Sequence, residues 1–140
     1  MATPVYEDLD FQSSARITGL PAPVAADEAA TKAYADSGPA VVTVSTTTLT
    51  LALEHAKNWL HATHASGCAI TVPPQADVDW LDNTVIYGDQ GAAGAVTFVE
   101  GSGVTIKCAD TFATDGPDSP WALIRMAADV WLLTGRLVAA

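Results

Sequence analysis

Histidines, cysteines and clustered carboxylates are the side chains with which this 140-residue sequence could do chemistry, and their spacing limits what they can do. His61 and His64 are three apart, so on a strand they face opposite sides and could share a metal ion only on a helix. His55 follows Glu54, and no His-x-His or His-Glu-x-x-His spacing occurs. Asp77, Asp79 and Asp82 in "PPQADVDWLDN", and Asp110, Asp115 and Asp118 in "CADTFATDGPDSP", are loop carboxylates of the kind that bind hard cations. Neither run has the alternating acidic pattern, the glycine and the late glutamate of a calcium loop, so both read as solvated loops. Ser102 sits in "EGSG", which is not a Gly-x-Ser-x-Gly elbow. Cys68 has His64 nearby in sequence but no third group to orient the pair. Gly91 and Gly94 in "GDQGAAGAV" are followed by no phosphate-binding lysine. The expectation is a protein with no catalytic residues, no metal and no cofactor, and not an enzyme.

The tryptophans offer a different chemistry, because the apolar face of a sugar stacks on an indole. Trp121 alternates with Leu123 and Trp131 with Leu133, a pattern that sends both indoles into a core. Trp80 lies in the Asp-rich loop and is expected to be exposed, which makes it the candidate contact for a glycan.

The elements that must hold these side chains are mostly strands. From Ala40 onward the chain is rich in β-branched residues: "VVTVSTTTLTL", "CAITV", "NTVIYGD", "AVTFVEG", "GVTIKC", "WALIRMA" and "VWLLTGRLV" are separated by Gly, Asp, Ser or Pro clusters. "LTLALEHAKNWLHATH" reads as a short helical piece at Leu53 to Lys57 followed by a strand through His64. Gly101 and Gly103 in "EGSGV", and Ala128-Asp129 in "MAADVW", mark two expected hairpins. No sequence period of 20 to 50 residues recurs, which argues against a solenoid. The fold class expected is mainly β: an N-terminal extended arm and a short Ala-rich helix, then a small antiparallel β-sandwich or jelly-roll-like domain over 40–140.

Residues 1–25 form the expected arm and its Pro-rich connector, in which Pro21 and Pro23 each fix φ and push the preceding residue out of the helical region. Tyr6, Leu9, Phe11, Ile17 and Leu20 are apolar anchors suited to ordering on another surface. Over 26–38, Asp27 can cap a helix that Gly38-Pro39 ends. Ala26, Ala29, Ala30 and Ala33 share one side with Tyr34, a small-residue stripe that allows close packing around a symmetry axis.

Sixteen acidic residues against six basic ones give a formal net charge of −10. The cations are scattered, which argues against nucleic acid or an anionic membrane as partner. Cys68 and Cys108 have no framework spacing; they could form one disulfide, but read rather as small buried core residues. "ATPVYEDLDF" after Met1 has neither a basic leader nor an apolar stretch, so no secretory signal is expected. No apolar run approaches the roughly 20 residues that span a bilayer, and the expectation is a soluble protein made in a cytoplasm.

Asp8 to Ser37, "DLDFQSSARITGLPAPVAADEAATKAYADS", resembles a segment of tailed-phage fibre and related virion proteins. Arg16, Ile17, Leu20, Pro23, Asp27, Ala29, Ala30, Thr31, Lys32, Tyr34 and Asp36 carry the likeness, over about a fifth of the chain. The C-terminal part looks like a small β domain of phage structural proteins. The resemblance implies a homotrimer located in the virion, anchored to capsid or tail proteins, as a short fibre or a capsid decoration protein. The alternative it implies is a receptor- or glycan-binding tail fibre module with a host surface glycan as ligand.

Overall fold

The computed structural model describes residues 39–140, and these are mainly β. The strands are β1 (Val41–Val44), β2 (Thr48–Thr50), β3 (Trp59–Ala62), β4 (Cys68–Val72), β5 (Val85–Gln90), β6 (Val96–Glu100), β7 (Thr105–Lys107), β8 (Ser119–Ala127) and β9 (Val130–Gly135). A single 3-10 turn, Leu53–His55, falls where the short helical piece is expected. The anchors Tyr6, Leu9, Phe11, Ile17 and Leu20 and the helix residues Ala26, Ala29, Ala30, Ala33 and Tyr34 lie outside the described residues.

A six-stranded sheet runs in the order β1-β3-β5-β8-β9-β7, and a three-stranded sheet in the order β2-β4-β6. The antiparallel sandwich expected from the sequence is not what forms. β1 with β3, β3 with β5, β2 with β4, β4 with β6 and β7 with β9 are all parallel, and only β8 pairs antiparallel, with β5 and β9. Parallel neighbours need a long crossover between them, commonly a helix. Here the crossover is a strand of the other sheet: the chain passes from β1 through β2 to β3, from β3 through β4 to β5, and so climbs as a short solenoid-like stack of coils.

The missing sequence period has a physical reason. Val41 pairs with Trp59 and Trp59 with Tyr87, so successive coils measured in the large sheet differ by ten residues in length. Part of the extra length is the Pro73 to Thr84 segment before β5, longer than its counterpart Leu51 to Asn58 before β3, and the rest comes from a longer turn before β4, a longer β4 and the start of β5 ahead of the paired Tyr87. Unequal coils stack in space without repeating in sequence. The same topology overturns the hairpin expected at Gly101 to Gly103. That turn, closed by Val104 N–H donating to Gly101 O at 3.0 Å, carries the chain from β6 in one sheet to β7 in the other. The second hairpin is as expected: β8 and β9 pair antiparallel across Ala128-Asp129, with Asp129 at φ 57°.

Between the sheets lies the core. Alternation along β4 and β6 turns Cys68, Ile70, Val72, Val96 and Phe98 inward, and the large sheet answers with Leu60, Ile86, Trp121, Leu123, Trp131 and Leu133. Each such side chain contributes about 1.5–3 kcal/mol when fully buried. Phe98 meets Trp121 edge to face with centroids 5.0 Å apart and thereby joins the two sheets. Gly88 makes room for this contact, since a Cβ there would lie 2.3 Å from Trp121 Cζ2.

Candidate functional site

Three parallel strands in register, β1, β3 and β5, lay matching positions side by side on the outer face of the large sheet. One row is Val41, Trp59 and Tyr87; the next is Thr43, His61 and Asp89. Neighbouring strands are about 4.8 Å apart, so side chains in one row are within reach of each other. The rings of Trp59 and Tyr87 lie with centroids 6.5 Å apart and planes within 7° of parallel.

Asp89 ties the two rows together. Its Oδ1 accepts a hydrogen bond from Trp59 Nε1, and its Oδ2 lies 2.9 Å from His61 Nδ1. That geometry places the ring proton on Nδ1 and makes Nε2 the acceptor of the neutral imidazole. Gly91 sets the ring's position from below, because a Cβ there would stand 2.3 Å from His61 Cε1. Both oxygens of Asp89 are thus used to orient aromatic rings, and its side chain is only 15% exposed.

These residues border an open depression of about 460 Å³ lined by Val41, Trp59, His61, Asp89, Asp118 and Pro120. Asp118 reaches it from the turn before β8, where its N–H donates to Gln90 O at 2.8 Å and its φ is 60°. The six lining side chains include no hydroxyl or thiol. What the arrangement offers is an open depression with apolar groups, Val41, Trp59 and Pro120, beside polar ones, His61, Asp89 and Asp118.

The residues singled out from sequence separate into several environments. Trp80 is a correction: it is 3% exposed, its Nε1 donates to Pro73 O at 3.3 Å, and it packs edge to face on Trp131 at 5.3 Å. The loop around it is polar, but the indole itself turns inward, so no exposed glycan platform exists at Trp80. Trp121 and Trp131 are in the core as the alternation predicts. His55 is buried in the 3-10 turn, where its Nδ1 accepts the Ala52 N–H at 2.8 Å, and burial lowers its pKa against the opposing pull of Glu54. His64 Nδ1 accepts from Ser66 N–H at 3.1 Å.

The loop carboxylates are dispersed. Asp79 accepts from Gln75 Nε2, Asp82 pairs with the buried Arg125, and Asp115 lies 3.4 Å from Arg136. Among the described residues, no three His, Cys, Asp or Glu side chains gather in a metal-holding group. Both cysteines are free; Cys68 is buried, which pushes its thiol pKa up and makes it a poor nucleophile.

Sequence reasoning missed Tyr87 and Asp89. Asp89 stands 28 positions from His61, a distance that becomes contact only through the parallel register of β3 and β5. Alternation of Trp59 with His61 was the one local signal that both face the same side. Comparison with family models, with curated protein sequences and with solved structures finds no match to this chain.

Proposed function

We propose that this chain is a structural protein of a tailed-phage virion, a short homotrimeric fibre or capsid decoration protein anchored by its N-terminal arm, with the β domain exposed. The observation that carries the reading is the union in one chain of the virion-type segment Asp8 to Ser37 with a β unit whose first strand follows it directly. The coils of that unit advance from β1, each hydrogen-bonded along its length to the next, which supports a stiff module. An extended arm gains backbone hydrogen bonds and apolar anchoring at the expense of ordering entropy, and symmetric copies add avidity.

Incorporation into particles tests this. Virions whose copy of the chain lacks Ala2 to Ser14 should lose the protein, while the shortened chain keeps its β circular-dichroism signature. Particles that retain the shortened chain overturn the proposal. A second reading, a receptor- or glycan-binding fibre module, is favoured by the groove at Trp59, His61 and Asp89, whose rings are oriented without serving the core.

A further inference from the structure

We infer that the groove over β1, β3 and β5 binds an uncharged pyranose-containing glycan, with one sugar ring packed on Trp59, which Tyr87 backs, and its hydroxyls met by His61 and Asp118. This rests on the second reading and names its ligand class.

The first ground is the investment in ring orientation. Trp59 and Tyr87 lie outside the core, yet Trp59 is fixed through its Nε1 by Asp89, and Tyr87 lies beside it with nearly parallel planes while 41% exposed. A surface aromatic that only fills space has no need of a partly buried carboxylate to hold it. A pre-oriented ring loses little freedom on binding, which is where a shallow site gains affinity. The π face is electron-rich, so it attracts the weakly positive axial C–H groups on the flat side of a pyranose.

The second ground is the adjacent polar row. A pyranose has an apolar face ringed by hydroxyls, and the groove has an apolar row flanked by groups that hydrogen-bond hydroxyls. Asp118 supplies an acceptor carboxylate and His61, its side chain 38% exposed, supplies ring nitrogen. Gly91 is part of this design, because any side chain there would displace the imidazole. The depression is open and about 460 Å³, which suits the end or edge of an oligosaccharide.

Charge selects among glycans. Two of the six lining residues are aspartates, none is lysine or arginine, and the chain carries a formal net charge of −10. A uronic acid, sialic acid or phosphate group would bring like charge against Asp118 and Asp89, with no lysine or arginine in the lining to receive it. Neutral hexoses and N-acetylhexosamines carry no such penalty.

The experiment is binding of the full chain to an array of neutral and acidic oligosaccharides, with hits titrated by nuclear magnetic resonance. A neutral glycan should bind with a Kd on the order of 1 mM per site. Trp59→Ala and Tyr87→Ala should each weaken it at least about tenfold, while Met126→Ala, on the same sheet away from the groove, should not. Tyr87→Ala removes an exposed ring, so a native circular-dichroism spectrum and melting curve can be required of it even if Trp59→Ala fails to fold. Binding of acidic glycans alone, or neutral binding indifferent to Tyr87, overturns the ligand class or the site and leaves the receptor-module reading standing. No binding to either set overturns both.

Discussion

Asp89 and Gln90 are neighbours on β5, and their side chains leave the sheet on opposite sides to opposite ends. Gln90 is buried between the sheets: its Nε2 donates to Ala92 O and Ala93 O at 2.8 and 3.2 Å, and its Oε1 accepts from Thr114 Oγ1. Thr114 in turn accepts the Val96 N–H at 2.9 Å, so one amide pins the turn after β5 and the segment before β8 to β6. Asp89 faces out and spends both oxygens on two aromatic side chains. The polar group inside satisfies backbone and makes the fold unique; the polar group outside satisfies rings and shapes a surface. Polarity on the same strand therefore has two meanings, and only the direction of the side chain separates them.

The strongest way to break the inner side is Gly88→Ala. Its Cβ would meet Trp121 Cζ2 at 2.3 Å and the backbone oxygen of Leu60 at 2.4 Å, and neither can retreat without opening the sheet or the core. A loss of about 3 kcal/mol or more is expected in urea unfolding. Gly91→Ala meets only the half-exposed ring of His61, which can rotate away, so it should cost less than about 1 kcal/mol. Equal losses in the two variants would mean that the inner and outer faces are not distinct in the way described.

Gln90→Ala sharpens the contrast with a smaller effect. It leaves the buried Thr114 hydroxyl without its Gln90 acceptor and frees the carbonyls of the partly exposed Ala92 and Ala93 turn, at a cost of about 2 kcal/mol. Asp89→Ala exposes Trp59 Nε1 and His61 Nδ1 to water, which can replace the carboxylate, so its stability loss should stay below about 1 kcal/mol. Urea midpoints that rank Asp89→Ala below Gln90→Ala in stability would contradict this assignment.

The sequence made the strands legible because burial requires alternation, and "CAITV" became β4 without change. Trp121 and Trp131 could be placed in the core for the same reason. Topology was not legible, because nothing in "TVIYGDQ" says whether its partner runs parallel or antiparallel, and coils of unequal length erase the repeat that would have said so. Trp80 misled because its neighbours are acidic, while its own indole had the Trp131 edge and the Pro73 carbonyl to reach. Asp89 looked like any strand carboxylate until the register set it beside His61 and Trp59.

His55 and His61 carry the comparison to its finest scale, since the same atom has opposite roles in the two rings. His61 Nδ1 donates to Asp89. His55 Nδ1 accepts from Ala52 N–H, so a proton there abolishes the bond and puts charge into a buried turn. Desolvation is the largest influence on His55; Glu54, whose Oε1 is 3.9 Å from His55 Nε2, and a backbone hydrogen bond at Ala52 oppose it only in part, so the folded-state pKa lies below 6.5. The unfolded chain then binds the proton more readily than the folded one. The stability from His55 is therefore complete above pH 6.5 and is lost as the pH falls below that value through the lowered folded pKa. Carboxylates begin to titrate below about pH 5, so the difference between wild type and a His55 variant from pH 6.5 to 5 separates this ring from the other titrating groups. His55→Asn keeps a neutral acceptor at the turn and should flatten that part of the urea-midpoint profile, at some loss of stability at pH 7.5. A fall of equal size in wild type and variant would show that the acid sensitivity originates elsewhere and that the Ala52 contact does not depend on a neutral ring.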